Sequence, residues 1–360
     1  MKAIIRRELK NYLKNPIFWV GLVVVVIGVC QMVSPYLKIH YFQSDQEIQD
    51  IHVESSRDGE ITEGYIPSSP KQQMELACEV IRKDLVEELE VSKEDADEMI
   101  STIQKMSIPE ACEYLKKHHF NGAQYIFDDY AYHQGNMEEV NGYLDEKLEK
   151  QSFSYFFIRK FTDSVGVYMA FFSTILFAFL FLRDTKKDTY ELLHTKPVRP
   201  WQYVLGKIGG GFLISLIILA VLNLVFAVLC ILHIKEAGLA SGSYVFSSIL
   251  GFVKATCIYI LPNMLMIICV YTIVALLFKN PLPATPLLFL YIVYSNMGSI
   301  GPDGSYGYFG RPLAIVVRFP GQFFDTAPPP LVLMNQIFLI LTSCVIIALS
   351  VFIWKRRRVY

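Results

Sequence analysis

The stretch RDTKKDTYELLHTKPVRPWQYVLGK, Arg183 to Lys207, gathers acids, bases and hydroxyls between two stretches without charge, VGVYMAFFSTILFAFLFL and IGGGFLISLIILAVLNLVFAVLC. Its chemistry is that of contact rather than bond-making. DTYELLHT has helix-forming composition, KPVRP ends it, and WQYVLGK returns with an aromatic anchor. A connection that only joins two apolar helices needs a handful of residues, so this segment is expected to touch something soluble. Covalent chemistry finds no support. The chain has no H-E-x-x-H, no G-x-S-x-G and no G-x-x-x-x-G-K-[ST]. GKIGGG, from Gly206, places Lys207 before Ile208, without a phosphate-cradling loop or a magnesium-binding hydroxyl. No CxxC occurs, and no His or Cys group has metal-ligand spacing. The expectation is a chain that is not an enzyme and that holds no cofactor or metal of its own.

The elements that flank this segment define the class. With 53% hydrophobic and 14% aromatic residues and a mean hydropathy of +0.35 over 360 residues, the chain carries more apolar surface than a water-soluble fold needs, and it carries it in blocks. A bilayer core of roughly 30 Å takes about 20 helical residues. Apolar runs near that length lie at about Ile17–Leu37, Thr162–Leu182, Ile208–His233, Ala255–Phe278, Ala284–Met297 and Leu331–Trp354. The expected fold is an all-α polytopic membrane protein with six transmembrane helices and no nucleic-acid surface. The first run, after MKAIIRRELKNYLKNP, is too long for a cleaved signal sequence and lacks an A-x-A site, so it is read as an anchor. An even number of spans puts both termini on one side.

Charge orients these spans. Lys2, Arg6, Arg7, Lys10 and Lys14 precede the first run, six bases occupy Arg183–Lys207, Lys279 follows the fourth run, and Lys355–Arg358 follow the sixth. All fall on one face, expected to be the cytoplasmic face of the cell membrane. Between Lys38 and Lys160 lie 26 of the 34 acidic side chains but only 13 of the 33 basic ones, the mark of an acidic domain on the other side. The predicted divisions are 1–37, an amphipathic helix and first span; 38–160, a helical extracytoplasmic domain; and 161–360, the remaining spans with the loop 183–207. In the first part, Ile5, Leu9, Tyr12 and Leu13 form an apolar stripe opposite Arg6, Arg7, Lys10 and Lys14. That pattern suits a helix lying on the inner leaflet, or a basic tail that only sets topology.

In the second part, Met74, Ala77, Val80, Ile81 and Leu85 share a stripe, and Ser92 and Ser107 each precede an acid by three residues, as capping boxes require. Cys78 and Cys112 both lie there, and a disulfide between them is open on sequence alone. Asp163 and Lys254 are the ionisable residues near span edges. Tyr168, Asn223, Asn263, Tyr271 and Tyr291 are polar groups within spans that suit helix contacts or substrate equally.

On the sequence FLFLRDTKKDTYELLHTKPVRPWQYVLGKIGGG, the basic amphipathic start, the large segment after the first span and the six-span pattern, the chain resembles the membrane permeases of ATP-binding-cassette (ABC) transporters of the type-2 export class. The resemblance implies that the loop between spans two and three is a coupling helix docking on a separate cytoplasmic ABC ATPase subunit, which binds ATP and Mg. Matching positions are Asp188, Thr189, Glu191, Leu192, Leu193 and Thr195 on the helix, Pro197, Val198 and Arg199 at its end, and Tyr203, Gly206 and Lys207 at the re-entry. Leu192 and Leu193 suit an apolar groove, and Glu191 and Arg199 its charged rim. The resemblance further implies an N-terminal elbow helix, a second permease chain as homodimer or heterodimer partner, and export of a hydrophobic or amphipathic substrate. It also implies a re-entrant hairpin after span five, where Leu313–Phe319 can form one arm and Arg311 and Arg318 lie near the outer surface; an ordinary outer loop fits that stretch too. The alternative function is a membrane sensor or immunity protein with an extracytoplasmic ligand-binding domain.

Overall fold

The computed structural model describes residues 1–51, 60–182, 184, 198–240, 243–300, 306–307 and 310–356. They form two compact units, Met1–Leu37 with Gln151–Tyr360, and Lys38–Lys150.

The Lys38–Lys150 unit is a small helical domain. After α3 (Asp45–Gln49) come α4 (Pro70–Glu87), α5 (Lys93–Ile103), α6 (Ile108–Lys117), α7 (Ala123–Asp129) and α8 (Met137–Lys150). The starts of α4, α5 and α6 are fixed by Ser69, Ser92 and Ser107, whose hydroxyls meet backbone N–H groups three residues on. Gln72 and Glu110 return the contact to complete boxes on α4 and α6. Met74, Ala77, Ile81 and Leu85 of α4 are buried against Ile100, Ile103, Leu115 and Phe127, while Val80 is only half-buried. Cys78 and Cys112 belong to this core as free thiols, so the bridge left open above is not formed. A short antiparallel pair, Tyr65–Pro67 with Tyr132–Gln134, ties the domain's two ends together.

The other unit is a helical bundle. Five helices among the described residues are long and apolar enough to cross a bilayer: Pro16–Lys38, Phe153–Leu182, Pro200–Glu236, Tyr244–Phe278 and Val332–Arg356. The chain is thus an all-α, multi-pass membrane protein. The first of these is α2 (Pro16–Val33) with a short 3-10 extension, preceded by α1 (Lys2–Leu13). The rest are α9 (Phe153–Leu182), α10 (Pro200–Glu236), α11 (Tyr244–Ala255) continued through a π-helical turn (Thr256–Ile260) into α12 (Leu261–Phe278), and α14 (Val332–Arg356). Between them α13 spans only Ala284–Asn296, 13 residues, about 20 Å at 1.5 Å each, so by itself it is shorter than a hydrocarbon core.

Side chains such as Val23, Ile27, Leu224, Leu290 and Leu341 point outward, exposed on helices whose surroundings must therefore be apolar. Inside, small residues allow close approach. A β-carbon on Gly28 of α2 would stand 2.3 Å from the Tyr168 ring of α9, and one on Gly210 of α10 would stand 2.9 Å from Cβ of Glu8. The glycines of GKIGGG are therefore packing surfaces.

Candidate functional site: two polar layers in the bundle

Charged groups inside this unit are few, and those that pair across helices are gathered at two levels, the first fully buried and the second partly so. The first level lies where α9 ends and α10 begins, at the two ends of the 185–197 stretch. Lys207, 2% exposed, projects from the first turns of α10. Its ammonium donates to Oε1 of Glu8 at 3.0 Å and to the Leu180 carbonyl at 2.9 Å, and pairs with Oδ2 of Asp184 at 2.6 Å. An ammonium has three protons, and each finds an acceptor. Both carboxylates are 4% exposed, and pairing with the ammonium is what makes burying three charges tolerable. The Tyr203 hydroxyl donates to the same Asp184 oxygen at 2.9 Å, and half-exposed Arg7 stands 3.8 Å from the other. The Trp354 ring of α14 stacks on Tyr203 with centroids 3.8 Å apart. One cluster thus joins α1, α9, α10 and α14.

The local sequence explains how α1 reaches it. Ile4, Glu8 and Tyr12 recur every four residues and lie on one helical face. That face meets Gly206 and Gly210, where a β-carbon would collide with Ile4 and Glu8. Tyr12 donates to the Leu176 carbonyl at 3.1 Å; burial, with the Glu8 carboxylate nearby, holds its phenol well above the usual range. The expected stripe differs in two places: Leu13 is exposed, and the acid Glu8 is buried. The signal was present, since Glu8 is the sole acid among the first fourteen residues.

The second level is on the far side of the bundle, where Gly310–Pro330 runs without α-helix and with a single 3-10 turn, Phe323–Asp325. Backbone without a helical hydrogen-bond ladder needs its polar groups met by other protein groups where it is buried, and side chains of three helices do this. Asp163 of α9 accepts from the Phe319 N–H at 3.0 Å, Ser295 of α13 from Ile315 at 2.9 Å, and Asn335 of α14 from Leu313 at 2.7 Å. Asn335 also donates to the Arg311 carbonyl at 2.9 Å. Arg318 binds Asp163 at 2.7 Å and Asn296 at 2.9 Å, and Arg159 and Lys160 donate to the carbonyls of Thr326 and Gly321. Ile315, Val316 and Phe319 are buried between these anchors. Asp163, singled out at a span edge, is therefore an anchor for irregular backbone.

Of the candidate coupling residues, Asp188, Glu191, Leu192, Leu193, Thr195 and Pro197 lie outside the described residues. Arg199 is the exposed cap residue ahead of α10, its carbonyl accepting from Gln202 and Tyr203. Tyr203, Gly206 and Lys207 are brought together in the first layer. Glu8, Asp184 and Trp354 were not among the sequence candidates. Among the described residues no group of His, Cys, Asp and Glu is arranged to hold a metal ion.

The distance between the layers has meaning. On α9, Asp163 and Leu180 are separated by about 26 Å of helix, and on α14 Asn335 and Trp354 by about 28 Å, close to the roughly 30 Å of a hydrocarbon core. A family profile described as ABC-2 family transporter protein matches residues 2–310. No curated protein and no solved structure matches the chain.

Proposed function

This chain belongs to the ABC-2 transporter family, a membrane transport component, and from that premise we propose that it is the permease subunit that couples ATP hydrolysis by a separate cytoplasmic ABC ATPase to export of a hydrophobic or amphipathic substrate. ATP and Mg belong to that partner, and a second permease chain, identical or related, completes the pathway. The loop 183–207 is the coupling element, with Leu192 and Leu193 in an apolar groove of the ATPase, Glu191 and Arg199 at its rim, and Asp188, Thr195 and Pro197 shaping the helix and its end.

The observation that carries this reading is the Lys207 cluster. It holds Asp184, at the start of the loop, and Tyr203 and Lys207, at its end, in one charge network with α1 and α14. A push on a tethered loop fixed in this way is delivered to four helices at once. In the same reading α1 is an elbow helix on the inner leaflet, α13 with the anchored Gly310–Pro330 segment makes the sixth crossing, both termini are cytoplasmic, and the Lys38–Lys150 unit is outside the cell membrane.

The test is co-purification of an ABC ATPase with the chain and substrate-stimulated hydrolysis by the complex. Leu192→Asp should abolish coupling, and Glu191→Ala and Arg199→Ala should each lower it about tenfold or more, with expression and insertion unchanged. Normal transport in all three variants would sink the coupling role, and failure to find an ATPase partner would return the chain to the sensor class. Cysteines placed at Glu60 or Glu94 should react with an impermeant thiol reagent in intact cells, and one at Lys187 should not.

A further inference from the structure

Beside the Lys207 cluster, toward the C-terminal end of α1, is a cavity of about 250 Å³ where the turn from α1 into α2 passes the end of α9. Lys14 and Asn11 are at its polar side, and Phe179, Leu180 and Leu182 form its apolar wall. Glu8 also borders it, but its charge is taken up by Lys207 at 3.0 Å and by the amide of Asn11 at 3.4 Å. We propose that this cavity binds the phosphodiester headgroup of an anionic glycerophospholipid, with the acyl chains leaving along the apolar wall into the bilayer.

Four observations point to that occupant. The cavity lies at a membrane boundary, since α2 starts and α9 ends beside it. It is smaller than the roughly 300–1,000 Å³ of sites that enclose a drug-sized molecule, which suits a headgroup whose tails stay outside. Of the two charged side chains that line it, Glu8 is paired with Lys207 in the adjacent cluster, which leaves the Lys14 ammonium as the charge it offers a ligand. Among the described residues Lys14 forms no ion pair. Finally, Trp19 is exposed, its indole N–H donating to the Leu13 carbonyl at 3.0 Å, the position an aromatic side chain takes at the headgroup level. Basic groups next to a span attract anionic lipids in general; here a half-open cavity gives one lysine a defined role. The inference requires only that the chain sits in a bilayer, and stands or falls separately from ATPase coupling.

The experiment is native mass spectrometry of the purified full chain titrated with phosphatidylglycerol or phosphatidylcholine, for the unchanged protein, Lys14→Glu, Lys14→Gln and Lys10→Glu. Lys10 is on the same basic helix but outside the cavity, so it carries the same charge change without the site. The expected result is retention of phosphatidylglycerol over phosphatidylcholine, reduced about tenfold or more by Lys14→Glu, several-fold by Lys14→Gln, and less than about threefold by Lys10→Glu. Equal losses in the two Glu variants would reduce the effect to diffuse surface attraction and overturn the site, as would equal retention of the two lipids. Displacement of the lipid by inorganic phosphate would make free phosphate the occupant and overturn the lipid assignment.

Discussion

In the layer beside the loop, one ammonium serves two carboxylates and a carbonyl, with all three charged side chains no more than 5% exposed. In the far layer, one carboxylate serves a guanidinium and a backbone N–H, and the pair stays 15% and 26% exposed. The first layer fastens regular helices to one another through their side chains. The second replaces the missing hydrogen-bond ladder of an irregular segment with side chains from helices that are themselves regular. The energetic consequences differ. A fully buried triad is held by mutual dependence, so that removing one member strands the others. A partly exposed anchor set can be lost piecemeal, because water reaches what is left.

The largest effect should therefore come from Lys207→Met, which leaves Glu8 and Asp184 buried without their shared ammonium and should cost about 3–5 kcal/mol in stability. The triple variant Glu8→Gln, Asp184→Asn, Lys207→Met should recover most of that stability while losing coupling. If Lys207→Met alone were as stable as the unchanged protein, the triad would not be a mutually dependent unit. Next, Asp163→Ala should cost about 1–3 kcal/mol, because Arg318 loses its carboxylate partner and the Phe319 N–H its acceptor. Asp163→Asn should cost less, since an amide oxygen still accepts from Phe319. Equal losses in the two would assign the whole effect to Arg318. Gly210→Ala should cost about 1–2 kcal/mol, because its β-carbon must displace the stem of Glu8; hydrogen exchange would report the loss as faster exchange in α1 alone.

The smallest effect belongs to a charge pair in the water-facing domain, the yardstick for both layers. His40 Nδ1 meets the Lys38 carbonyl at 2.7 Å and Nε2 meets Glu47 at 2.8 Å. Partial desolvation acts to lower the imidazole pKa, but the carbonyl and the carboxylate outweigh it and the net shift is upward. Glu47 is held low by the Gln43 N–H first and by His40 second. A raised imidazole contributes fully below its ordinary value and loses that contribution as pH rises through the raised one. Protection of Lys38–Gln49 in hydrogen exchange should thus fall with rising pH through that window, and His40→Gln should flatten the profile.

Much of this was readable from local pattern. Ser92 and Ser107 mark helix starts because a cap is made within three residues, and runs such as Thr162–Leu182 mark spans because lipid selects for apolarity. The boundaries were less readable: α9, α10 and the Tyr244 helix extend past their apolar runs, since a helix in water needs only propensity and caps. The five long helices agree with five of the six apolar runs, while Ala284–Asn296 is too short to be judged by length. Contacts between distant positions were not legible at all. Nothing near Lys207 in sequence points to Glu8, and the polar residues that meet Gly310–Pro330 come from three helices. The π-helical turn at Thr256–Ile260 left no periodic signal either. The coupling residues from Asp188 to Pro197 remain a reading of the sequence.

The separation of Glu8 from Lys207, 199 residues along the chain, sets an order of events during synthesis. At about 5–20 residues per second, the ribosome makes Glu8 roughly 10–40 s before its partner exists, and Trp354 follows later still. Through that interval the carboxylate must stay hydrated, so α1 has to wait at the membrane surface while the spans beside it are threaded in. Seating of the first helix to be made is then among the last steps of assembly, and a chain interrupted before α10 would present α1 undocked to quality-control proteases.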